Sequence, residues 1–510
     1  MKVGFSNIYP YRPHVGHANY LAYLVRSYGG ETYSLSCPGS ISSCYSKLYK
    51  GTNSFAYVPC ITCRVGALSS SNFNNVNWIT GDISVGEDID RFLIASSATL
   101  HRSESQSSWT SDSDNKNTRI MLRKNFQRAY FSALKWIETN KFDFVLVFNG
   151  RIDMTRAVSL ACENTKTPYI THERPWLGDG IQLIPNENCQ SLIQRGLLVK
   201  KYNYLPLTRS QANLASSSMA SRFLRTNILE WSLYNLNSRK IPWPQSSSGE
   251  RVLVLPGSKS EVAGHPELIT EWDTTIEALD AFLDVAKING RDIVVRGHPI
   301  WAKRVANRWA QNIDQCYRNW AQKRGAFYIS ASDNSDTYGL IEQSNIVIVN
   351  GGSSAVEAGT LGKKIVSLGP CVYQEASFLK TLKNYDEINS FSGFNSWISS
   401  EEVIRYTMRY MYTSLKRFPQ YTDHVKALTT KQYRYIAGAN AEKLVTIATT
   451  SSLCADDANI HCNSLEENSF ISDLKELNWQ AFDSSNRNSD SGNALKLPNN
   501  LIYKMMDSIF

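Results

Sequence analysis

Residues 344–370 read SNIVIVNGGSSAVEAGTLGKKIVSLGP, and this stretch decides the fold. A β-branched run is followed by Gly351, Gly352, Ser353 and Ser354, then by a segment with helical spacing and a second β-branched run. Strand, helix and strand in this order predict a parallel βαβ unit, because the helical crossover brings the second strand back in the same direction. The stretch therefore predicts an α/β fold built on parallel sheets.

The same alternation of strands and helices runs through both halves of the chain. It predicts two Rossmann-like, doubly wound domains that face a central cleft, formed by residues 1–240 and 250–450. The Pro- and Ser-rich segment 238–250 is the expected linker, and the Ser/Asn-rich residues 102–118 are an expected exposed loop. Residues 451–510 are polar and weakly periodic, which predicts a partly disordered tail. Its amphipathic end, NLIYKMMDSIF, is expected to cap the domain or to touch a membrane.

Composition limits the class of protein. With 510 residues, 42% of them hydrophobic and 20% charged, the chain can form two or three domains with large cores. The net charge of +8 is spread along the sequence without a dense basic run, so we expect no nucleic-acid partner, only tolerance for an anionic ligand or membrane surface. No apolar run is long enough to span a bilayer, and MKVGFSNIYP is typical of a strand, not of a signal peptide. These features favour a cytoplasmic protein.

The cysteines are expected to be reduced in that compartment. Cys37, Cys44, Cys60 and Cys63 cluster in the first half, and the last two form a C-x-x-C pair of the kind that zinc uses. The spacing from Cys37 to Cys44 differs from that of a zinc knuckle, so buried free thiols are favoured over a structural metal. No metal and no other cofactor is expected for the chemistry.

A strand in the second half ends in a histidine that a proline holds in place. The run IVVRGHP, residues 293–299, ends in Arg296, His298 and Pro299, and the proline keeps His298 out of the helical conformation. In open α/β sheets, ligands bind at such strand exits. The alternative is an ordinary loop histidine.

The Gly-Gly-Ser-Ser segment at residues 351–354 has the features of a phosphate cradle. The glycines permit close approach to the backbone, and a helix N-terminus offers N–H groups beside the hydroxyls of Ser353 and Ser354. The alternative is that Ser354 merely caps the helix. Glu357, one turn further on, would repel a phosphate, and a ribose hydroxyl pair or a capping role suits it better. Together with His298, the segment predicts a nucleotide site.

The pairing of RGHP with the later VNGGSSAVEAGTLGKKIVSLG resembles the capsule polysaccharide biosynthesis proteins, bacterial transferases of the GT-B fold that include the Kdo transferases of capsule assembly. The resemblance covers residues 140–375. It implies that His298 and the serine pair hold the nucleotide and phosphate of a CMP-activated sugar, with Asp333, Ser335 and Tyr338 near the base or ribose. It also implies a glycan or glycolipid acceptor and an enzyme that can work at the inner face of the cytoplasmic membrane.

An acidic residue follows a strand of the first half, in PYITHERPWLGDG. The resemblance implies an acidic residue at this point, in a Glu-Asp-Gly-like motif, with the role of a general base or catalytic carboxylate. Sugar transfer to a hydroxyl needs such a group. Glu173 is the match, although Arg174 follows it in place of the family's Asp-Gly, and Asp179 is the competing match. We favour Glu173 because it lies at the strand exit. The alternative is that Glu173 forms a surface salt bridge.

Further residues of the first half are expected on the acceptor side of the cleft. Asn149 and Gly150, an Asn-Gly pair that the family shares, end the preceding strand together with Arg151. Gly150 would permit a tight turn and Asn149 would hydrogen-bond the acceptor. His17, at the entry of the first helix, would bind the acceptor or serve packing.

These features predict a nucleotide-sugar-dependent, metal-independent glycosyltransferase of bacterial capsule or surface polysaccharide synthesis, with Kdo as a candidate sugar. Three alternatives stay open. A CDP-glycerol-type polyol-phosphate transferase shares the His-Pro and serine-pair motifs. A nucleotide-sugar 2-epimerase of the same fold would need several carboxylates in the cleft. A polysaccharide-binding protein without catalytic activity would not need Glu173.

Overall fold

The structure is a computed structural model of the chain. It describes residues 1–39, 41–50, 58–69, 75–80, 89–229, 237–245, 249–302, 307–457, 464–482, 494–497 and 505. Both halves contain a six-stranded sheet, and both sheets follow the strand order 3-2-1-4-5-6 when the strands are counted within each half. This order belongs to doubly wound dinucleotide-binding folds. The predicted fold of two Rossmann-like domains is therefore confirmed.

The first sheet has the order β3-β2-β1-β4-β5-β6 and is parallel except for the last pair. Its strands are short, and five of the six are almost wholly buried, as expected for a sheet covered on both faces. The edge strand β3 differs, because Asn77 is exposed. The strands are β1 (Lys2–Asn7), β2 (Glu31–Ser36), β3 (Asn75–Trp78), β4 (Phe144–Phe148), β5 (Tyr169–Glu173) and β6 (Gln182–Pro185).

The second sheet has the order β12-β11-β10-β7-β8-β9 and is parallel throughout. Its strands are β7 (Val252–Leu255), β8 (Ile293–Arg296), β9 (Phe327–Ile329), β10 (Ile346–Val349), β11 (Lys364–Leu368) and β12 (Lys380–Leu382). The strand order reverses between β7 and β10, where the loops after the two strands diverge and leave a crevice. A small hairpin, β13 (Val425–Ala427) and β14 (Tyr433–Tyr435), completes the strands.

Helices cover the faces of the sheets. Those of the first half are α1 (His14–Ser27), α2 (Tyr45–Lys50), α3 (Val58–Ser69), α4 (Asp90–His101), α5 (Gln106–Ser111), α6 (Ser113–Asn140), α7 (Asp153–Thr165), α8 (Ile193–Tyr202) and α9 (Arg209–Phe223). Those of the second half are α10 (Thr275–Val285), α11 (Asn307–Arg324), α12 (Thr337–Gln343), α13 (Ser354–Thr360), α14 (Tyr385–Asn389), α15 (Ser400–Tyr412), α16 (Glu442–Thr450), α17 (Ser464–Lys475) and α18 (Trp479–Phe482). None of the described helices combines the length and apolar composition that a bilayer-spanning segment needs.

Packing crosses the expected domain boundaries in both directions. Helix α9 lies before the linker, yet its Ala212, Ala215 and Met219 pack in the core of the second sheet. Conversely, Tyr421 and Leu444 lie within the expected second domain but belong to the core beneath the first sheet. The boundaries 1–240 and 250–450 therefore do not describe the packing, because helical periodicity shows that a face is buried but not which sheet buries it.

The Ser/Asn-rich segment 102–118 is helical, so the prediction of an exposed loop is wrong. Ser105 caps α5 and Asp112 caps α6 through their side chains. Trp109 is buried, and its indole N–H donates to the carbonyl of Ser103 at 2.8 Å. The serines and acids that suggested a loop act as helix caps here.

The tail also contains ordered helix. Phe470, Ile471 and Leu474 of α17 are buried in the core shared with α9 and α15, and Glu467 forms a buried ion pair with Arg409 at 2.5 Å. Residues 464–482 of the tail that the sequence predicts to be partly disordered therefore contain packed helix. The amphipathic end NLIYKMMDSIF lies outside the described residues, apart from Met505.

Candidate active site

A cavity of about 650 Å³ lies between the two domains, at the carboxyl ends of the parallel strands. The second domain contributes the loops after β7, β8 and β10, and the first domain contributes residues between Arg174 and Arg225. This volume suits a small-molecule ligand. Most of the predicted nucleotide-binding residues line it, namely Arg296, His298, Pro299, Gly351, Gly352, Ser353, Ser354 and Glu357.

The segment after β10 presents hydrogen-bond donors for which the described part of the chain offers no acceptor. Gly351 has a φ of 92°, a left-handed conformation that favours glycine. Among the described residues, the backbone N–H groups of Gly352, Ser353 and Ser354 have no protein acceptor. Ser353 is the residue before α13, and its side chain makes no capping hydrogen bond. The structure thus shows a row of donors at the cavity wall instead of a side-chain cap.

Asn350 holds this segment against the loop that follows β7. Its side-chain carbonyl accepts the backbone N–H of Gly257, and its amide Nδ2 donates to Thr275 Oγ1 at 3.1 Å. A Cβ at Gly257 would lie 3.0 Å from Asn350 Oδ1, so the close approach of the two loops needs glycine. Asn350 therefore positions both loops.

His298 lines the cavity in a fixed tautomer. Its Nδ1 accepts the backbone N–H of Ile300 at 3.2 Å, in the turn that Pro299 begins. Because Nδ1 accepts, the neutral ring carries its proton on Nε2. His298 therefore brings a donor to the cavity at the exit of β8.

Two of the three residues expected near the base or ribose, Asp333 and Ser335, and the predicted nucleotide-binding residue Arg296 make hydrogen bonds within the protein. Arg296 donates from Nη2 to the carbonyl of Asp333 at 2.7 Å and from Nη1 to the carbonyl of Ser330. The Asp333 carboxylate accepts the backbone N–H and the hydroxyl of Ser335. Neither Asp333 nor Ser335 lines the cavity, whereas Tyr338 does. Arg296 thus holds the loop before α12 in place, and Tyr338 in the first turn of α12 lines the cavity.

Glu357 is neutralised by an arginine. Arg222 of α9 places Nη1 2.8 Å from Glu357 Oε1, with side chains only 2% and 8% exposed. The Arg222 guanidinium also lies 5.3 Å from the centre of the Trp176 ring. Because Arg222 compensates the charge of Glu357 within the cavity wall, Glu357 does not prevent a phosphate from binding nearby.

The cavity is strongly basic, a property that sequence reasoning missed. Arginine and lysine side chains from both domains line it, whereas its acidic lining residues are Glu261 and the paired Glu357. The basic lining residues are Arg174, Arg195, Arg222, Arg225, Lys259 and Arg296. Their sequence positions gave no signal, because four of them lie in or beside α8 and α9 and the strand exit of the first domain. The arrangement suits an anionic ligand.

Glu173 lies at the exit of β5, as predicted, next to the cavity-lining Arg174. Its carboxylate accepts Asn149 Nδ2 at 2.9 Å and the Arg174 backbone N–H at 2.9 Å. His14, which the sequence reading did not select, places Nε2 3.2 Å from Glu173 Oε1. His14 lies three residues before the candidate His17 on the same helix, and this spacing could have identified it as a second candidate. Burial raises the pKa of Glu173 above its ordinary value, while the Asn149 hydrogen bond acts in the opposite direction.

Asn149 and Gly150 form a strained turn that orients Glu173. Asn149 has a φ of 61° and Gly150 a φ of 69°. The side chain of Asn149 bridges the backbone N–H of Arg151, at 3.1 Å, and the carboxylate of Glu173. A Cβ at Gly150 would lie 2.6 Å from Thr171 Cγ2. Gly150 thus makes the expected tight turn, and Asn149 holds the carboxylate of Glu173. The expected hydrogen bond from Asn149 to the acceptor stays a prediction.

Arg151 was expected on the acceptor-side rim, but it is buried and joins the domains. Its Nη2 donates to Thr99 Oγ1 at 3.0 Å and to the carbonyls of Ser260 at 3.1 Å and Ala263 at 3.5 Å. With 8% of the residue exposed, it presents no surface to an acceptor. Arg151 is therefore not a residue of the acceptor-side rim, because its long side chain extends across the cleft to the second domain.

Asp179 and His17 have structural roles. Asp179 accepts the backbone N–H of Ala427 at 2.9 Å and pairs with Lys426 at 3.3 Å, so it anchors β13. His17 is fully buried, its Nδ1 lies 3.1 Å from the Tyr435 hydroxyl, and burial lowers its pKa well below the ordinary value. The packing alternative for His17 is the one that the structure supports, and Glu173 remains the candidate base.

The four clustered cysteines are buried free thiols. Within the described residues, the group of three metal-ligating side chains with converging ligand atoms is Glu187, His265 and Glu267, and it contains no cysteine. Burial raises the pKa of Cys37 to about 11 and that of Cys44 to about 12, which disfavours thiolates.

No family model matches the sequence, and no curated protein matches it either. Solved structures with a similar course of the chain include the beta Kdo 2,4 transferase of Thermosulfurimonas dismutans KpsC, at 13% identity over 65% of this chain and 87% of that chain, with a TM-score of 0.32. The beta Kdo 2,7 transferase of the same protein is 11% identical over 70% of this chain and 96% of that chain, with a TM-score of 0.34. A UDP-GlcNAc 2-epimerase from Methanocaldococcus jannaschii is 10% identical over 88% of this chain and its full length, with a TM-score of 0.29. At such low identities and TM-scores these likenesses carry no argument about this chain.

Proposed function

We propose that this protein is a GT-B glycosyltransferase that takes a sugar from a CMP-activated donor, with Kdo as the candidate sugar. The observation that carries the proposal is the row of unused backbone N–H groups at residues 352–354, which faces a basic cavity together with His298. Phosphate oxygens accept such donors, and the arginines compensate their charge. The motifs at residues 296–299 and 349–369, which resemble those of capsule polysaccharide enzymes, support the CMP-linked donor.

The proposed reaction breaks the bond between the anomeric carbon and the CMP phosphate oxygen. Negative charge grows on that oxygen as the bond lengthens, and preorganised donors stabilise it more than they stabilise the intact donor. His298 Nε2–H and the N–H groups of Ser353 and Ser354 serve this purpose. The protein supplies the positive charge itself through the arginines, so the proposed transfer needs no metal and no cofactor.

Glu173 is the proposed general base. It takes the proton of the acceptor hydroxyl as that oxygen bonds to the anomeric carbon. Its raised pKa brings its proton affinity closer to that of a base working near neutrality. Asn149 and His14 hold the carboxylate in place as positioning residues.

The acceptor in this proposal is a glycan or glycolipid of a bacterial capsule or surface polysaccharide. The enzyme would meet it in the cytoplasm at the inner face of the membrane. The net charge of +8 would favour contact with anionic lipid there.

The composition of the cavity lining favours the proposed transferase over a 2-epimerase of the same fold. Epimerisation at a carbon beside the anomeric centre needs carboxylates or other bases at the sugar. The acidic lining residues are Glu357, paired with Arg222, and Glu261, which lies 3.5 Å from Arg102. The CDP-glycerol-type transferase shares the anion-binding features, so substrate turnover has to separate it from the sugar transferase.

The first experiment is calorimetric titration of CMP, UDP, GDP and ADP into the wild type, His298→Ala and the control His424→Ala, a histidine outside the cavity lining. We expect selective CMP binding that weakens about ten- to hundredfold in His298→Ala, because one hydrogen bond to a charged group is lost. Preference for UDP or GDP would overturn the CMP-linked donor. Absence of binding to all four nucleotides would overturn the transferase proposal.

The second experiment measures release of CMP from CMP-Kdo and from CDP-glycerol with a mixed glycan acceptor pool. Turnover of CMP-Kdo that Glu173→Gln abolishes supports the sugar transferase. Turnover of CDP-glycerol alone would establish the polyol-phosphate alternative. Unchanged turnover in Glu173→Gln would remove Glu173 as the base.

A further inference from the structure

Three metal-ligating side chains converge outside the cavity, where the two domains meet. Glu187 follows β6 of the first sheet, whereas His265 and Glu267 belong to a turn of the second domain. One ligand atom of each residue lies within 4.8 Å of the other two. None of the three belongs to the cavity lining. The cluster therefore lies beside the candidate active site without lining it.

The imidazole of His265 is one of the three converging groups, and one of its ring nitrogens is buried without a partner among the described residues. The residue is 2% exposed, and its Nδ1 accepts the backbone N–H of Glu267 at 3.3 Å. Its Nε2 is buried and has no hydrogen-bond partner among the described residues. Buried polar atoms are nearly always paired, so an orphaned one calls for a ligand. Burial lowers the pKa of His265, which keeps the ring neutral, the form that binds metals.

The two carboxylates complete a donor set of nitrogen and oxygen. Glu267 accepts the Leu192 backbone N–H at 2.8 Å and the Ser191 hydroxyl at 3.2 Å, so groups of the first domain orient it. Such outer hydrogen bonds are typical of metal-binding carboxylates. The Glu187 carboxylate has no hydrogen bond or ion pair within the described part of the chain, and burial followed by the charge of Glu267 raises its pKa.

The positive charges around the cluster are engaged elsewhere. Arg156 forms an ion pair with Glu163 at 2.5 Å. Arg151 donates to carbonyls of the second domain. The cluster thus holds two carboxylates and a neutral imidazole without a dedicated counter-charge.

We propose that Glu187, His265 and Glu267 bind a divalent transition-metal ion, Zn²⁺ by the chemistry of the donors, and that this ion clamps the two domains. Zinc takes His nitrogen and Glu oxygen at about 2.0–2.2 Å, which places neighbouring tetrahedral ligands about 3.4 Å apart. The candidate ligand atoms of the three residues are up to 4.8 Å apart, and a rotation of the Glu187 side chain can bring its carboxylate closer to the other two. Coordination through Nε2 moves the ring proton to Nδ1 and gives up the long 3.3 Å bond to Glu267 N. Water completes the fourth position.

The test is titration of Zn²⁺ into the full chain after removal of metal with a chelator. The variant is Glu187→Gln, which removes a charge that no protein group pairs, and the matched control is Glu476→Gln, an exposed carboxylate remote from the cluster. We expect one ion per chain, at least tenfold weaker binding in Glu187→Gln and unchanged binding in Glu476→Gln. Zn²⁺ should raise the melting temperature of the wild type and of the control but not that of Glu187→Gln.

Co²⁺ distinguishes this cluster from the cysteines. Cobalt bound by nitrogen and oxygen alone shows no thiolate charge-transfer band, whereas cobalt on Cys60 and Cys63 shows one. A thiolate band, unchanged zinc affinity in Glu187→Gln, or no binding to the wild type would each overturn the proposal. The test does not depend on nucleotide binding, so it stands apart from the transferase proposal.

Discussion

The buried pair of Arg222 and Glu357 provides a quantitative test of the electrostatics of the cavity wall. Its charged atoms are 2.8 Å apart, and its side chains are 2% and 8% exposed. At an effective dielectric constant of ~20 the attraction is about 6 kcal/mol. Desolvation costs several kcal/mol per ion, on the order of that attraction. The intact pair is therefore close to neutral for stability, whereas loss of one partner leaves an uncompensated buried charge.

We expect Arg222→Met to lower the free energy of unfolding by about 3–5 kcal/mol in urea denaturation. The double variant Arg222→Met/Glu357→Met should recover most of this loss, because no buried charge remains. Lys240→Met is the matched control, since Lys240 lies 3.0 Å from Glu342 with side chains 68% and 32% exposed. It should cost less than about 1 kcal/mol. A loss in Arg222→Met no larger than in Lys240→Met, or a double variant no more stable than the single one, would refute the reasoning.

Three further predictions concern individual residues. Glu173→Gln should lower the transfer rate by about 10²–10⁴-fold with little change in CMP affinity. Because the base must be ionised, the wild-type transfer rate should rise with pH through a pKa above 4.5. A transfer rate that does not change with pH would contradict this. Burial raises the pKa of Glu104 from 4.5 to about 7, so the native state binds more protons than the unfolded state in this window. The free energy of unfolding should therefore fall as pH rises through it, by about 3 kcal/mol, and urea denaturation of Glu104→Gln should show a smaller fall. Gly150→Ala should destabilise by about 1–3 kcal/mol in the same assay, because φ is 69° and a Cβ would meet Thr171 Cγ2 at 2.6 Å; an unchanged midpoint would show that the turn relaxes freely.

The parallel sheets and their strand exits were predictable from the sequence. Residues 293–299 and 344–370 combine a buried β-branched run with glycine, histidine or serine directly after it, and the structure shows β8, β10 and β11 there. Parallel strands are buried on both faces, so their sequences are continuous apolar runs that stand out from loops. For the same reason the sequence predicts His298 and the serine pair at ligand-binding strand exits, and both line the cavity.

Long-range partners were not predictable. Arg222 and Glu357 are 135 residues apart in the chain, and Arg151 reaches Ser260 across 109 residues. A single sequence contains each charge but not its partner, so Arg151 was assigned to an open rim that it does not reach. His14 was missed because its partner Glu173 meets it only through the pairing of β1 with β4 and of β4 with β5.

The contacts between the domains converge on the segment 258–263, which also lines the cavity. Glu104 of the first domain accepts the Ser258 hydroxyl at 2.6 Å and the Lys259 backbone N–H at 2.6 Å. Arg151 donates to the carbonyls of Ser260 and Ala263 from the other side. A phosphate needs the same kinds of donor that Glu104 occupies here. A nucleotide that recruits these donors of Ser258 or Lys259 would therefore have to displace Glu104. Since the raised pKa of Glu104 makes its carboxylate easier to protonate, this competition weakens as pH falls toward about 7 and below.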